Sequence, residues 1–237
     1  MSRRLWVVLL VFWVLALAGA GYVLVNSPFF WVRSVQVLGC SRVAPGEVAA
    51  ASGVAPGVNI FTVPLGEVAE RVAAIPWVAE ATCMRLLPGT IRISVVERTP
   101  VAATPRDGRF VVLDGDCWAV DIWESPGGLP LVTEESEREI VVGRQVDSQP
   151  LQWAVECAAA FGPRSGDVAE IHADDESFLT VYMVGGLRVV LGRGDSTLEN
   201  KVGILVGILN DIEERGLDAE YVDLRFEKPV VKKREGR

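Results

Sequence analysis

The sequence predicts an α+β protein with three parts: an N-terminal transmembrane helix, a small β-α-α-β-β domain, and a mixed β-rich domain with packed helices. Three observations predict it. Leu5 to Val25 is an uncharged, almost wholly apolar run. Between Val32 and Arg98 strand-like and helix-like periods alternate, separated by glycine and proline. After Val101 short strand patterns with turn chemistry dominate.

The first element follows from length. At about 1.5 Å per residue, Leu5 to Val25 makes a helix about 30 Å long, the thickness of a bilayer's hydrocarbon core. Arg3 and Arg4 precede it and, by the positive-inside rule, keep residues 1–4 cytoplasmic and direct everything after Val25 outward, a single-pass type II topology. A cleaved signal peptide competes, because Ala16-Leu17-Ala18 and Ala18-Gly19-Ala20 are small-x-small sites. Against cleavage, Tyr22 to Val25 carries the apolar run past both sites. Trp6 and Trp31 stand near the ends of the run as interfacial anchors, with a domain role for Trp31 equally open.

The β-α-α-β-β domain is expected over 30–98. Val35 and Val37 alternate with Ser34 and Gln36 in a strand that ends at Gly39. Pro45-Gly46-Glu47 opens a helix that Gly53 closes. A second helix starts near Pro64, with Leu65, Val68, Val72 and Ile75 on one face, and Pro76 stops it. Val78–Leu86 and Thr90–Val96 flank Leu87-Pro88-Gly89 as a hairpin. Two helices then cover one face of a three-stranded sheet.

In the β-rich domain, 99–228, strands are expected over Arg109–Leu113, Cys117–Ile122, Phe178–Val184, Leu187–Leu191 and Tyr221–Phe226. Gly185-Gly186 reads as a two-residue hairpin turn. Leu151–Phe161 is an apolar helix, and Ser196-Thr197-Leu198-Glu199 is a capping-box pattern opening a longer one. That helix carries Leu198, Val202, Leu205, Leu209 and Ile212 on one face and ends at Gly216. Residues 127–149 read as a loop with one embedded strand, and Glu134, Glu135, Glu137 and Glu139 as a solvated acidic loop. Residues 229–237 read as a basic C-terminal tail.

Charge and residue types narrow the function. A net charge of −8, with no basic cluster except Lys232-Lys233-Arg234, argues against a nucleic-acid partner. The four cysteines, 40, 83, 117 and 157, form no C-x-x-C pair, so a metal site is not expected; outside the cytoplasm they allow three disulfide pairings, and the sequence selects none. His172 is the single histidine, and it falls in a strand pattern where a structural imidazole outweighs a catalytic one. No phosphate-binding or dinucleotide fingerprint is present, so no cofactor and no small-molecule substrate is expected, and no catalytic residue is assigned. Arg193-Gly194-Asp195 matches an adhesion tripeptide, but Asp195 has a local turn role open to it. Trp77 reads as a core residue.

The segments Val35–Gly39, Asn59-Ile60-Phe61, Ile75-Pro76-Trp77-Val78 and Arg85–Ala102, in this order behind a signal anchor, resemble the POTRA module of the FtsQ/DivIB family of cell-division proteins. Leu191–Asp195 and Tyr221–Arg225 resemble that family's β domain. The resemblance implies a non-enzymatic scaffold of the bacterial divisome in the cell membrane at the septum, its domains extracytoplasmic, recruiting or regulating septal peptidoglycan synthesis through FtsB/DivIC-like and FtsL-like partners, with other divisome membrane proteins and, through the anchor, membrane lipid as further contacts. On that basis Tyr221, Leu224, Arg225, Phe226 and Lys228 are the partner-binding candidates. Glu227–Val231 is the segment beside which a partner strand would lie. For Tyr221 and Leu224, plain core packing competes. A POTRA-containing secretion or outer-membrane assembly module, and an envelope hydrolase with an unrecognised site, are the rival readings.

Overall fold

A computed structural model describes residues 3–136, 138–226 and 228–234, with the side chains of 3–5 and 8 left aside. The chain separates into two compact units, Met1–Glu97 and Arg98–Arg237.

The first unit opens with α1, Arg3–Val25. Among the described residues no helix is long and apolar enough to cross a membrane; with the side chains of 3–5 and 8 set aside, the longest uninterrupted described part of α1 is 9–25. A 3-10 turn, Pro28–Phe30, leads to β1, Ser34–Leu38. Helices α2, Pro45–Ser52, and α3, Leu65–Ala73, precede the hairpin strands β2, Val78–Leu86, and β3, Thr90–Glu97. The sheet order is β1-β3-β2, with β1 parallel and β2 antiparallel to β3. Ile91, Ile93 and Val95 alternate along β3 into a core closed by Val48 of α2 and by Val68 and Val72 of α3. The expected arrangement of two helices on one sheet face is therefore what forms.

Gly39 ends β1 at φ +88°, and a Cβ there would lie 2.0 Å from the carbonyl oxygen of Val95, so backbone occupies the space a side chain would need. The loop after it is closed by Glu97. Its carboxylate accepts the amides of Ser41 (2.9 Å), Arg42 (3.0 Å) and Val43 (2.9 Å) and the Ser41 hydroxyl (2.5 Å). Burial alone would raise this carboxyl, but the hydrogen bonds from Ser41, Val43 and Arg42 outweigh it and hold it at about 2.

The second unit is one nine-stranded sheet, covered on one face by two helices. Its elements are β4, Pro100–Arg106; β5, Arg109–Asp114; β6, Ala119–Trp123; β7, Leu131–Glu134; α4, Gln149–Ala160; β8, Val168–Ala173; β9, Phe178–Met183; β10, Arg188–Arg193; α5, Leu198–Arg215; β11, Ala219–Asp223; and β12, Val230–Lys233. The strand order is β12-β11-β10-β9-β8-β7-β4-β5-β6. Leu151, Ala154, Val155 and Ala158 of α4 and Leu198, Val202, Leu205 and Leu209 of α5 bury against Ile171, Val181, Val189 and Val222.

Several local expectations need correction. The turn after β9 has three residues, because Met183 and Leu187 still pair and Gly186 at φ +81° closes the loop. The capping box does not form: Thr197 makes no side-chain cap bond, and Asp195 instead accepts the Thr197 amide at 2.8 Å, together with its hydroxyl. That is the local turn role expected for Asp195. Glu134 is not solvated. It ends β7 with its side chain 1% exposed, paired with Arg106 at 3.2 Å and receiving the Ser148 hydroxyl. The acidic position 137 lies outside the described residues.

Candidate partner-binding edge

The expected last strand, Tyr221–Phe226, stops earlier than its apolar pattern. Asp223 ends β11 because its Oδ1 accepts the Arg225 amide at 3.0 Å, a side-chain-closed turn that bends the backbone out of the ladder. Leu224 still donates its amide to Val190 of β10 at 2.9 Å. The chain then returns as β12, antiparallel to β11, with Val222 opposite Val231 and Asp223 opposite Val230. Residues expected to belong to a solvated tail thus form the terminal strand of the sheet, and all four are exposed.

The candidates fall into different places. Leu224 is 7% exposed and joins the core, so its side chain packs and presents nothing to a partner. Tyr221 is half-buried on β11, its ring under the Arg188 guanidinium at 5.0 Å and its hydroxyl donating to Asp223 at 2.8 Å. Arg225 donates from Nε and Nη2 to the same carboxylate at 3.0 and 2.7 Å. Those Arg225 bonds lead in holding the Asp223 carboxyl well below the usual carboxylate range despite its burial, and Asp223 in turn raises Tyr221 and Arg225. Phe226 is 61% exposed and Lys228 is exposed beside it, while Glu227 lies outside the described residues. Phe226 and Lys228 are therefore exposed in the connection that leads from β11 into β12, just after the turn closed by Asp223.

The two ends of the sheet differ. At β6, Ala119 accepts the Gly143 amide and donates to Arg144, and Val146 donates to Cys117, so residues 143–146 shield that strand's start. Beyond β12 the strand order ends. Sequence reasoning missed Val230 to Lys233 because an all-exposed strand has no buried alternation; the adjacent β-branched pair Val230-Val231 after Pro229 is the signal that was there.

Other chemistry-bearing residues lie elsewhere in the two units. His172 stands on β8 with Nδ1 2.9 Å from the Thr133 hydroxyl, which donates to Glu170 at 2.6 Å; a hydroxyl committed to the carboxylate leaves the imidazole Nδ1–H as donor. A depression of about 360 Å³ contains Arg164, Asp167 and Glu213, but the arginine pairs with both carboxylates. The cysteines are free thiols, and burial, aided by the Asp114 and Glu134 charges, pushes Cys117 up to about 12, far from thiolate reactivity. Trp77 packs against the first unit's core, with Arg42 over its ring at 4.6 Å.

Comparison with known proteins adds to this geometry. Residues 30–98 match the family described as POTRA domain, FtsQ-type, and residues 102–225 match cell division protein FtsQ/DivIB, C-terminal. The cell division protein FtsQ of Syntrophotalea carbinolica is 27% identical, over 90% of this chain and 77% of its own. That of Geotalea daltonii is 27% identical over 92% and 82%, and that of Mycolicibacterium smegmatis 32% over 78% and 54%. The extracytoplasmic domain of DivIB from Geobacillus stearothermophilus superposes on 50% of this chain and 96% of its own with a TM-score of 0.35 at 15% identity, a likeness too low to inform the arrangement described here.

Proposed function

This chain belongs to the FtsQ/DivIB family of cell division proteins, and from that membership we propose that it is a non-enzymatic, single-pass scaffold of the divisome that captures bitopic partners by strand addition at β12. The anchor rests on the sequence: Leu5 to Val25 is uncharged, its backbone is helical in α1, and Arg3 and Arg4 orient it with the two units outside. FtsB/DivIC-like and FtsL-like proteins are the proposed partners, at the septum.

The observation that carries the mechanism is the edge of β12, beyond which no strand lies among the described residues. An unpaired edge accepts an extended peptide through main-chain hydrogen bonds. Lys232 and Lys233 have a second reading, since edge lysines also deter indiscriminate pairing. Magnitudes decide what else is needed. A four-residue edge offers roughly four hydrogen bonds at about 1 kcal/mol each, against an association cost of about 4–15 kcal/mol. Backbone pairing alone is therefore too weak, and the exposed apolar side chains Phe226, Val230 and Val231 supply the remainder, with the lysines selecting an acidic partner strand.

The test is Phe226→Glu in the full chain. Binding of a purified FtsB/DivIC-like partner should fall at least about tenfold, equivalent to about 1.4 kcal/mol, with the circular dichroism spectrum unchanged. Native affinity would remove Phe226 from the site, and an unfolded variant would place it in the core. A fluorescent fusion on the N-terminus should form midcell bands, with filamentation on depletion; uniform envelope signal and normal septation would reject the divisome role.

A further inference from the structure

Phe29 (55%), Trp31 (42%), Phe61 (41%) and Leu87 (58%) of the first unit are exposed apolar side chains that the strand-addition mechanism leaves unused. Single exposed apolar residues are ordinary, but these four come from three separate segments gathered at one place, the end of the unit where α1 enters. The Asn59 side-chain amide donates to the carbonyl of Val25, the last residue of α1, at 2.8 Å. The loop bearing Phe61 is therefore level with the helix end. Trp31 bridges to Asn59, and the Phe30 ring lies edge-to-face with Phe29 at 5.1 Å and tilted against Phe61 at 5.2 Å. The hairpin tip bearing Leu87 belongs to the same end: Gly89 sits so close that a Cβ would lie 2.4 Å from the Trp31 carbonyl, and its own carbonyl accepts the Arg33 amide at 2.7 Å. Arg85 ties hairpin and loop together, donating to the carbonyls of Ile60 (2.8 Å) and Val63 (2.7 Å).

Distance limits what can lie beside these groups. Four Cα steps separate Val25 from Phe29, a reach of at most about 15 Å. A bilayer's polar layer is about 5–8 Å thick on each side of its hydrocarbon core. If Val25 marks the outer end of a membrane span, as proposed above and as this reading requires, residues hydrogen-bonded to that end lie in or against the headgroup layer. Aromatic rings favour that layer, and exposed Arg33 supplies a charge for lipid phosphate. We infer that this end of the first unit seats on the outer phospholipid surface, with Phe29, Trp31, Phe61 and Leu87 as its apolar contacts, so that the unit is held at the membrane by a face as well as by a tether.

The test uses the full chain in phospholipid nanodiscs whose acyl chains carry bromine both just below the headgroups and near the bilayer centre. Emission of the native chain minus that of Trp31→Phe isolates Trp31, and the same subtraction with Trp13→Phe isolates a residue of α1. Both components should lose most of their emission to bromine. Quenching of Trp13 with Trp31 unaffected would overturn the seated face and leave the anchor standing; absence of quenching in both would overturn the anchor, and this inference with it. In Phe61→Ser/Leu87→Ser, where both side chains are already exposed, Trp31 quenching should fall markedly while Trp13 quenching holds. Unchanged Trp31 quenching in that variant would overturn the contact set.

Discussion

Replacing Glu97 by Gln keeps the shape of the side chain at the end of β3 and removes the charge that closes the loop after β1. The native carboxyl sits at about 2 against an ordinary 4.5. Each unit of that difference corresponds to about 1.36 kcal/mol, which sets a ceiling of about 3.4 kcal/mol. Glu97 is only half-buried and solvent screens it, so the expected loss is about 1–2 kcal/mol. Because the folded-state value lies below the unfolded one, this stabilisation is complete above about pH 4.5 and is lost as the pH falls toward about 2. Urea unfolding of the full chain in detergent, followed by pulsed deuterium labelling of peptides from residues 78–97, reads the first unit separately from the second. The variant's midpoint should fall at about pH 7, and the gap to the native chain should shrink at about pH 3. Equal midpoints at neutral pH, or a gap independent of pH, would refute the role of the charge.

Gly39→Ala should cost the first unit at least about 3 kcal/mol, from the clash with the Val95 carbonyl and the left-handed backbone together, read by the same labelling. Leu205→Ala, at a fully buried position on α5, should lower the stability of the second unit by about 2–5 kcal/mol in urea titration and leave the first unit's midpoint in place. Asp223→Asn removes the charge and one of the two acceptor oxygens that organise Tyr221 and Arg225; brief chymotrypsin digestion of the native-state chain should cleave faster after Phe226, with α5 protected as before.

The first unit was legible nearly to the residue because its signals are local. Pro45 and Gly53 bracket one helix, Pro64 and Pro76 the other, and Ile91, Ile93 and Val95 alternate without interruption. The second unit hid β4 and β12 and left the strand embedded in 127–149, β7, without bounds. β4 begins at Pro100 and contains Pro105, which removes two amide donors from a segment that pairs with β7 at Ala103 alone. β7 is four residues long and sits among glycine and charge. β12 has no buried side to show a period. The buried ion pair of Arg106 with Glu134 was invisible because the glutamate's neighbours in sequence are acidic and solvated, whereas its partners are fixed only by the tertiary fold. Of the candidate residues, Phe226 and Lys228 are exposed between β11 and β12, Tyr221 and Arg225 are engaged with Asp223, and Leu224 packs inward; strand alternation does not extend past the turn that Asp223 makes.

The unequal ends of the nine-stranded sheet bear on how it can associate. Head-to-tail stacking of sheets into a filament needs two complementary free edges on every copy, a donor at one end and a receiver at the other. Here no strand lies beyond β12 among the described residues, whereas residues 143 and 144 already pair with Ala119, the first residue of β6. A strand joining at β12 meets an edge of four exposed residues, whereas one joining at β6 pairs only past Ala119. The two ends of the sheet therefore offer unequal room to an incoming strand.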